Sequence, residues 1–229
     1  MNYSNLESQL TTFLESLNIE KFNYNPSLKG STTAGENISL GFMCYVTKIL
    51  YTINSEKLND EIYKEELIEY LISFNETKPG FPENSFIDNS YFKEFKKNYP
   101  LLITKNTLKY LLGKIPFSQI SPNHKLKEFI RAESKQTLAT LNQVNYNYDL
   151  YTQGYPKTKL ELIEFCKKLD WYLPWNAGAQ LSAIATFNAI SGNTVESSDV
   201  LDKILTNLLK SDGAYYEGQD VGTSEKING

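Results

Sequence analysis

The amino-acid sequence predicts an all-α protein, and three observations lead to this fold class. Apolar residues recur close to the helical period along most of the 229 residues. The alternation of apolar and polar residues that marks a β-strand is nearly absent, with one short candidate at 144–148. A weak internal repeat of about 42 residues matches one helical hairpin with its connections.

The first part of the chain carries several helical patterns. The segment 38–53 is apolar on most faces, as expected for a helix buried on several sides. The segment 61–74 has acidic residues between its apolar positions, which fits an outer amphipathic helix with Asn59-Asp60 as its N-cap. The breaker-rich stretch between Asn75 and Asn89 is expected to be a loop. Further helical segments are expected at 6–17, 91–97, 103–112 and 126–144, with an interruption at Pro100.

Three more helices are expected in the last third of the chain, at 157–169, 177–190 and 198–209. Gly192 follows the second of them and is expected to be its C′ residue. That second helix is rich in small residues, which let inner helices approach one another closely. These small residues are Ala177, Gly178, Ala179, Ser182, Ala183 and Ala185.

The internal repeat consists of an acid, an aromatic-rich turn and a helix that opens with small residues. Asp170 begins one copy, with the sequence DWYLPWNAG, and Asp212 begins the other, DGAYYEGQD. A looser third copy begins at Phe22. Gln136 and Gln180 also occupy matching positions in two aligned helices. Buried and amphipathic helices alternate in these units, so two concentric layers of helices are expected.

With this alternation and the turn at 212–216, the chain resembles the α/α-toroid superfamily, which includes terpenoid cyclases, protein prenyltransferase β-subunits and glycan-processing enzymes. The resemblance implies one helical domain over 1–229, with an N-terminal helix and lead-in at 1–30 and helical hairpins at 35–229. A plain helical bundle or an α-solenoid would give nearly the same pattern. The segment from Thr223 to Gly229 reads as a capped helix start, and the hairpins are too few for a closed ring. We therefore expect an incomplete ring that belongs to a longer chain.

Composition excludes several function classes. The chain has 23 basic and 27 acidic residues and a net charge of −4, so no general nucleic-acid partner is expected. No run approaches the ~20 apolar residues of a membrane helix. Cys44, Cys166 and His124 are too few for a disulfide framework or a structural zinc site, so we expect buried thiols, no metal and no cofactor. The N-terminus lacks the features of a secretion signal, and a cytoplasmic location is expected.

The rim of the expected helical barrel carries the candidate site. Flat aromatic rings beside carboxylates and amides suit a sugar, because rings stack on its C–H face while polar groups bond its hydroxyls. Two carboxylates at a suitable separation would then cleave a glycosidic bond. The candidate ligand-binding residues are Trp171, Tyr172, Trp175, Asn176, Tyr215 and Tyr216. The candidate catalytic acids are Asp170, Asp212, Glu217 and Asp220. The alternative is that the tryptophans are packing residues and that Asp170 and Asp212 belong to turns.

Three further polar residues are candidates for contact with the ligand. Arg131 is the one arginine of the chain, and at a helix N-terminus it would clamp a carboxylate or a phosphate. Its alternative role is an ion pair with a nearby acid. Gln136 and Gln180 would line the cavity, or else would bond the backbone between helices.

The sequence thus favours a toroid-like protein that binds or processes a carbohydrate-like small molecule or glycan, and any enzyme activity would be that of a glycoside hydrolase or lyase. Two alternatives remain: a non-catalytic helical-repeat scaffold for a protein partner, and an isoprenoid-binding toroid. Neither aspartate-rich motif of terpenoid cyclases occurs, and Cys44, Cys166 and His124 do not match a prenyltransferase zinc site. The substrate, the reaction and the oligomeric state stay open.

Overall fold

The computed structural model describes residues 3–115, 117–146, 155–211 and 213–216. These residues are mostly helical, so the all-α class is confirmed. The chain divides into two compact units, residues 1–148 and 149–229, and each is described by itself. The single domain expected over 1–229 stays a prediction.

The first unit holds six of the described α-helices. They are α1 (Tyr3–Leu17), α2 (Thr33–Glu36), α3 (Leu40–Thr52), α4 (Glu61–Ile72), α5 (Asn89–Leu111) and α6 (Asn123–Gln143), with 3₁₀ turns at Glu56–Asn59 and Phe117–Gln119. Two antiparallel pairs of very short strands join them. These are β1 (Asn18–Glu20) with β2 (Asn23–Tyr24), and β3 (Asn75–Glu76) with β4 (Ser85–Phe86).

Helices α3 and α6 pack together at the centre of this unit. Leu40, Met43 and Cys44 of α3 are fully buried, as is Leu141 of α6. The apolar character of α3 on most faces therefore reflects burial on several sides, as the sequence predicts. The backbone N–H of Phe86 in β4 donates to Ser134 Oγ of α6 at 3.0 Å, which fastens the second strand pair to the same helix.

One carboxylate caps two helices. Asp88 Oδ1 accepts hydrogen bonds from the backbone N–H groups of Ser90 and Tyr91 at the start of α5, at 2.9 and 3.3 Å. Its Oδ2 accepts from the N–H groups of Ser39 and Leu40 at the start of α3, at 2.8 and 3.1 Å. Ser39 itself makes no side-chain cap. Because Asp88 is only 2% exposed, both helix starts depend on this one buried side chain.

Two expectations for this unit are wrong. Helix α5 does not stop at Pro100 but runs through it, because α5 is anchored on both sides of the proline. Phe92 and Phe95 pack on the cluster of Ile87, Leu126 and Ile130 before it. After it, Asn106 Nδ2 donates to the backbone carbonyls of Gln119 and Ile120 at 3.1 and 3.2 Å.

The second wrong expectation concerns the stretch 75–89, which was expected to be a loop throughout. It also contains the paired strands β3 and β4.

The expected cap of α4 is confirmed, since Asp60 Oδ1 accepts hydrogen bonds from the backbone N–H groups of Ile62 and Tyr63. No strand forms at 144–146, and residues 147–148 of that candidate lie outside the described part.

The second unit holds α7 (Lys159–Lys167), α8 (Pro174–Ile190) and α9 (Thr194–Leu208), where α9 packs on both of the others. Its core cluster consists of Cys166, Trp171, Ala177, Leu181 and Leu208. Thr158 and Glu161 form a reciprocal capping box at the start of α7. Gly192 follows α8 with φ of +76°, the left-handed conformation expected of a C′ residue.

The two cysteines are free and buried, as expected. Burial raises the pKa of each thiol to about 11. Among the described residues, no helix combines the length and the apolar character needed to cross a bilayer.

Candidate functional site

A groove between α8 and α9 of the second unit has a volume of about 1030 Å³. The turn before α8 and the segment after α9 contribute its remaining walls. We call it the aromatic groove. Its lining residues are Trp171, Tyr172, Leu173, Pro174, Trp175, Asn176, Gly178, Leu181, Ser182, Ala185, Leu201, Leu205, Ala214, Tyr215 and Tyr216. All six residues predicted in the aromatic turns are thus brought together there.

Trp171, in the turn before α8, and Trp175, in the first turn of α8, differ sharply in exposure. Asp170 Oδ1 accepts a hydrogen bond from the backbone N–H of Tyr172 at 3.1 Å, which forms an Asx-type turn. Pro174 then begins α8, where its fixed φ and missing N–H are well tolerated. As a result Trp171 is buried in the core cluster, while Trp175 is 93% exposed. The predicted packing role fits Trp171, and Trp175 is free to contact a ligand.

Small residues on one face of α8 make the groove deep. Gly178, Ser182 and Ala185 are spaced by four and three residues, so they lie on the same side of the helix. Outside the backbone of α8 itself, no atom of the described residues lies within 4 Å of the place where a Cβ at Gly178 would be. These side chains therefore leave space open instead of bringing a neighbouring helix close. The close helix approach expected from the sequence is wrong for Gly178, while Ala177 and Ala183 are buried as expected.

The segment after α9 folds back to close one side of the groove. Leu209 and Tyr215 form an isolated antiparallel bridge, and Gly213 makes the turn between them with φ of +80°. The backbone N–H of Tyr216 donates to the Leu208 carbonyl at 3.1 Å. This holds the Tyr216 ring in a buried position, while Tyr215 stays partly exposed beside the groove.

The predicted catalytic acids are not seen in the groove. Asp170 is exposed, serves as the turn acceptor and is not among the lining residues. Asp212, Glu217 and Asp220 lie outside the described residues. The described lining contains no charged side chain at all. The paired carboxylates needed for glycoside hydrolysis are therefore not part of the described groove.

The other three candidates are not among the lining residues of the groove. Arg131 and Gln136 belong to α6 of the first unit. Burial lowers the pKa of the Arg131 guanidinium and the nearby Glu128 raises it, which fits the alternative of an ion-pairing role. Gln136 Nε2 is buried without a hydrogen-bond partner among the described residues. Gln180 is buried in α8 and is not a lining residue.

Sequence reasoning missed the aliphatic part of the site. Leu181 of α8 and Leu201 and Leu205 of α9 contribute apolar wall to the groove. The available signal was spacing, since Leu201 and Leu205 are four residues apart and therefore share one face of α9. That face could not be distinguished from an ordinary core face by sequence alone.

The groove combines a mainly apolar interior with an exposed aromatic rim. Its side-chain polar atoms are few: the amide of Asn176, the hydroxyls of Ser182 and the tyrosines, and the indole N–H groups. Such a pocket binds by shape and apolar contact, with a few hydrogen bonds to orient the ligand. No protein-family model, curated protein or solved structure was found to match this chain.

Proposed function

We propose that the second unit binds a small molecule with an extended apolar surface in the aromatic groove. One observation carries this proposal: a cavity of about 1030 Å³ has a described lining without any charged side chain. An uncharged, aromatic and aliphatic lining favours removal of apolar ligand surface from water. The proposed activity is binding; the described lining contains no carboxylate, thiol or imidazole side chain.

The exposed rim supplies much of the expected affinity. Trp175, Tyr172 and Tyr215 are all exposed large aromatic residues, and removing their apolar surface from water is favourable. Covering one such side chain fully contributes about 1.5–3 kcal/mol. Covering the three rings and the aliphatic walls favours binding, and the entropy cost of association reduces the net affinity. A dissociation constant of about 1 μM would correspond to a net binding free energy of about −8 kcal/mol.

A carbohydrate ligand is the second candidate, and the 93% exposure of Trp175 favours it. A free indole face beside Tyr172 and the amide of Asn176 suits stacking on the C–H face of a sugar. Such a ligand would be bound without being cleaved by the described groove residues. The α/α-toroid arrangement is likewise a proposal, supported by the mostly helical fold.

A fluorescent probe without charge tests the leading proposal. N-phenyl-1-naphthylamine is expected to bind the full chain with micromolar affinity and to quench tryptophan emission, because Trp175 lies at the rim. Gly178→Leu should lower the affinity at least tenfold, since the new side chain occupies the open groove. Ala189→Leu is the matched control, because it introduces the same side chain at an exposed position of α8 that does not line the groove.

The two candidates give different results in this assay. If cello- or malto-oligosaccharides quench Trp175 and the naphthylamine does not bind, the carbohydrate candidate is correct and the apolar one is wrong. If Gly178→Leu and Ala189→Leu affect the probe equally, the probe binds elsewhere. The absence of binding by either class of ligand would contradict both candidates.

A further inference from the structure

The second half of α5 and the turn that follows it are unusually basic. Between positions 95 and 120 the sequence has five lysines and no aspartate or glutamate. The whole chain has a net charge of −4, so the remainder is strongly acidic by comparison. A local block of positive charge in an acidic protein attracts a negatively charged partner.

The same segment leaves large apolar side chains in water. Leu111 near the end of α5 and Phe117 in the following 3₁₀ turn are each 73% exposed. Leu101, Leu108 and Leu112 are exposed as well. We call these five residues, together with Lys105, Lys109 and Lys114, the basic apolar ridge. Five large apolar side chains exposed within 17 residues of the chain favour an interaction site.

Leucines and lysines occupy ordered positions around α5. At about 100° per residue, Leu101, Leu108 and Leu112 fall within about 40° of one another on the helix surface. Measured around the helix axis from Leu101, Lys105 lies at about 40° and Lys109 at about 80°, both in the same direction. The two lysines therefore flank one side of the leucine stripe. A helix lying along an apolar boundary would bury this leucine stripe while the lysines reach back to the polar side.

The ridge is held in shape, and its lysines are available. Asn106 bonds the backbone carbonyls of Gln119 and Ile120, and the Tyr110 and Phe117 rings contact edge to face at 5.8 Å between centroids. The returning turn is therefore fixed against α5. Within the described residues, Lys105, Lys109 and Lys114 form no ion pair, whereas Lys97 pairs with Glu94 at 3.8 Å.

We propose that the basic apolar ridge docks on the surface of a bilayer that contains anionic lipids. The lysines contact acidic headgroups, and the leucines and Phe117 enter the boundary between headgroups and acyl chains. The alternative partner is an acidic protein, whose groove would cover one continuous face of α5. Here the exposed apolar residues continue around the helix end through Leu111 and Leu112 to Phe117, a shape that a fluid lipid phase can follow.

Vesicle sedimentation tests the charge requirement. The full chain should pellet with vesicles of phosphatidylcholine and phosphatidylserine and stay in solution with phosphatidylcholine alone, and added NaCl should weaken the binding. The triple variant K105E/K109E/K114E should lose affinity by about 100-fold or more, at about 1 kcal/mol for each lysine removed from the anionic surface. The variant K29E/K159E/K203E is the matched control, because it changes the net charge equally at exposed lysines outside the ridge.

Insertion is tested separately at the apolar tip. Leu111→Cys can be labelled selectively with an environment-sensitive nitrobenzoxadiazole dye, because both native cysteines are buried. The dye emission should rise and shift to the blue with phosphatidylserine vesicles, and lipids with a nitroxide in the acyl chain should quench it. Leu108→Ser combined with Leu111→Ser should weaken vesicle binding without a loss of folded secondary structure, since both residues are exposed.

Several results would overturn the proposal. Equal loss of binding in both charge-reversal variants would mean that net charge alone matters and that the ridge has no role. A dye at position 111 that stays in water while the protein pellets would exclude insertion of the tip. If an acidic amphipathic peptide saturates the ridge lysines and no vesicle binds, the partner is an acidic protein and the lipid proposal is wrong.

Discussion

A buried carboxyl group in the first unit gives a quantitative prediction of pH-dependent stability. Glu133 lies on α6 with its carboxylate against the start of α3, where a Cβ added at Gly41 would come within 3.3 Å of Oε1. Its Oε2 is buried and has no hydrogen-bond partner among the described residues. Burial, and next the nearby Asp88, raise the pKa of Glu133 from 4.5 to about 7. Cys44 of α3 and Tyr91 of α5 also feel its charge.

The direction of the effect follows from proton linkage. Folded Glu133 binds its proton more tightly than unfolded Glu133 does, so its favourable contribution is complete below pH 4.5 and disappears as the pH rises through about 7. At about 1.36 kcal/mol for each pH unit between the two pKa values, the loss amounts to about 3 kcal/mol at pH 8. Replacing Glu133 by glutamine keeps the side chain neutral at every pH and removes this loss.

Urea denaturation at a series of pH values measures the effect. The free energy of unfolding of Glu133→Gln, minus that of the wild type, should be small near pH 5 and rise to about 3 kcal/mol at pH 8. Far-UV circular dichroism is the suitable signal, because Trp171 and Trp175 both belong to the second unit. Glu65→Gln, at an exposed position of α4, is the control and should run parallel to the wild type. Parallel curves for Glu133→Gln as well would show that this carboxyl group does not titrate as reasoned.

Three further predictions follow from single residues. Asp88→Ala should lower the free energy of unfolding, measured by urea denaturation, by about 2–4 kcal/mol. Two helices lose their N-terminal cap, and each cap contributes about 1–2 kcal/mol. A loss below about 1 kcal/mol would contradict the double cap. Gly178→Ala should raise the melting temperature, since alanine favours a helix by about 1 kcal/mol and no atom in the described part of the chain lies within 4 Å of its Cβ. A lower melting temperature would mean that the site is less open than described. Cys44 and Cys166 should react with a thiol reagent only after denaturation, and fast labelling of native protein would exclude their burial.

Helix periodicity predicted most of the fold because burial decides where these helices lie. The apolar run of α3 and the acid-interleaved run of α4 differ in burial as their sequences suggest. Pro100 misled the prediction because local propensity cannot include the packing of Phe92 and Phe95 or the bonds of Asn106. The paired strands β3 and β4 were also missed, since two residues on each strand are too few to show alternation.

The sequence predicted which aromatic residues line the site, but not which of them are buried and which are exposed. Both tryptophans lie within five residues after Asp170, yet Trp171 is buried and Trp175 is exposed. The difference depends on the direction in which α8 leaves the turn, and this is set by tertiary packing. Removal of Trp175 should therefore affect a ligand, whereas removal of Tyr216, which is buried, should also destabilise the unit. From the sequence alone, both Trp175 and Tyr216 are predicted to contact the ligand.

The cap formed by Asp88 has a consequence for the order of events during protein synthesis. The backbone of Leu40 is capped by a residue 48 positions later in the chain. At about 10 residues per second, a ribosome needs about 5 s to add those residues, and further time passes before they leave the exit tunnel. Throughout that interval the nascent α3 has an unfinished first turn and an apolar surface without its partner α6. Chaperones that recognise emerging apolar segments would meet α3 before α6 has been synthesised.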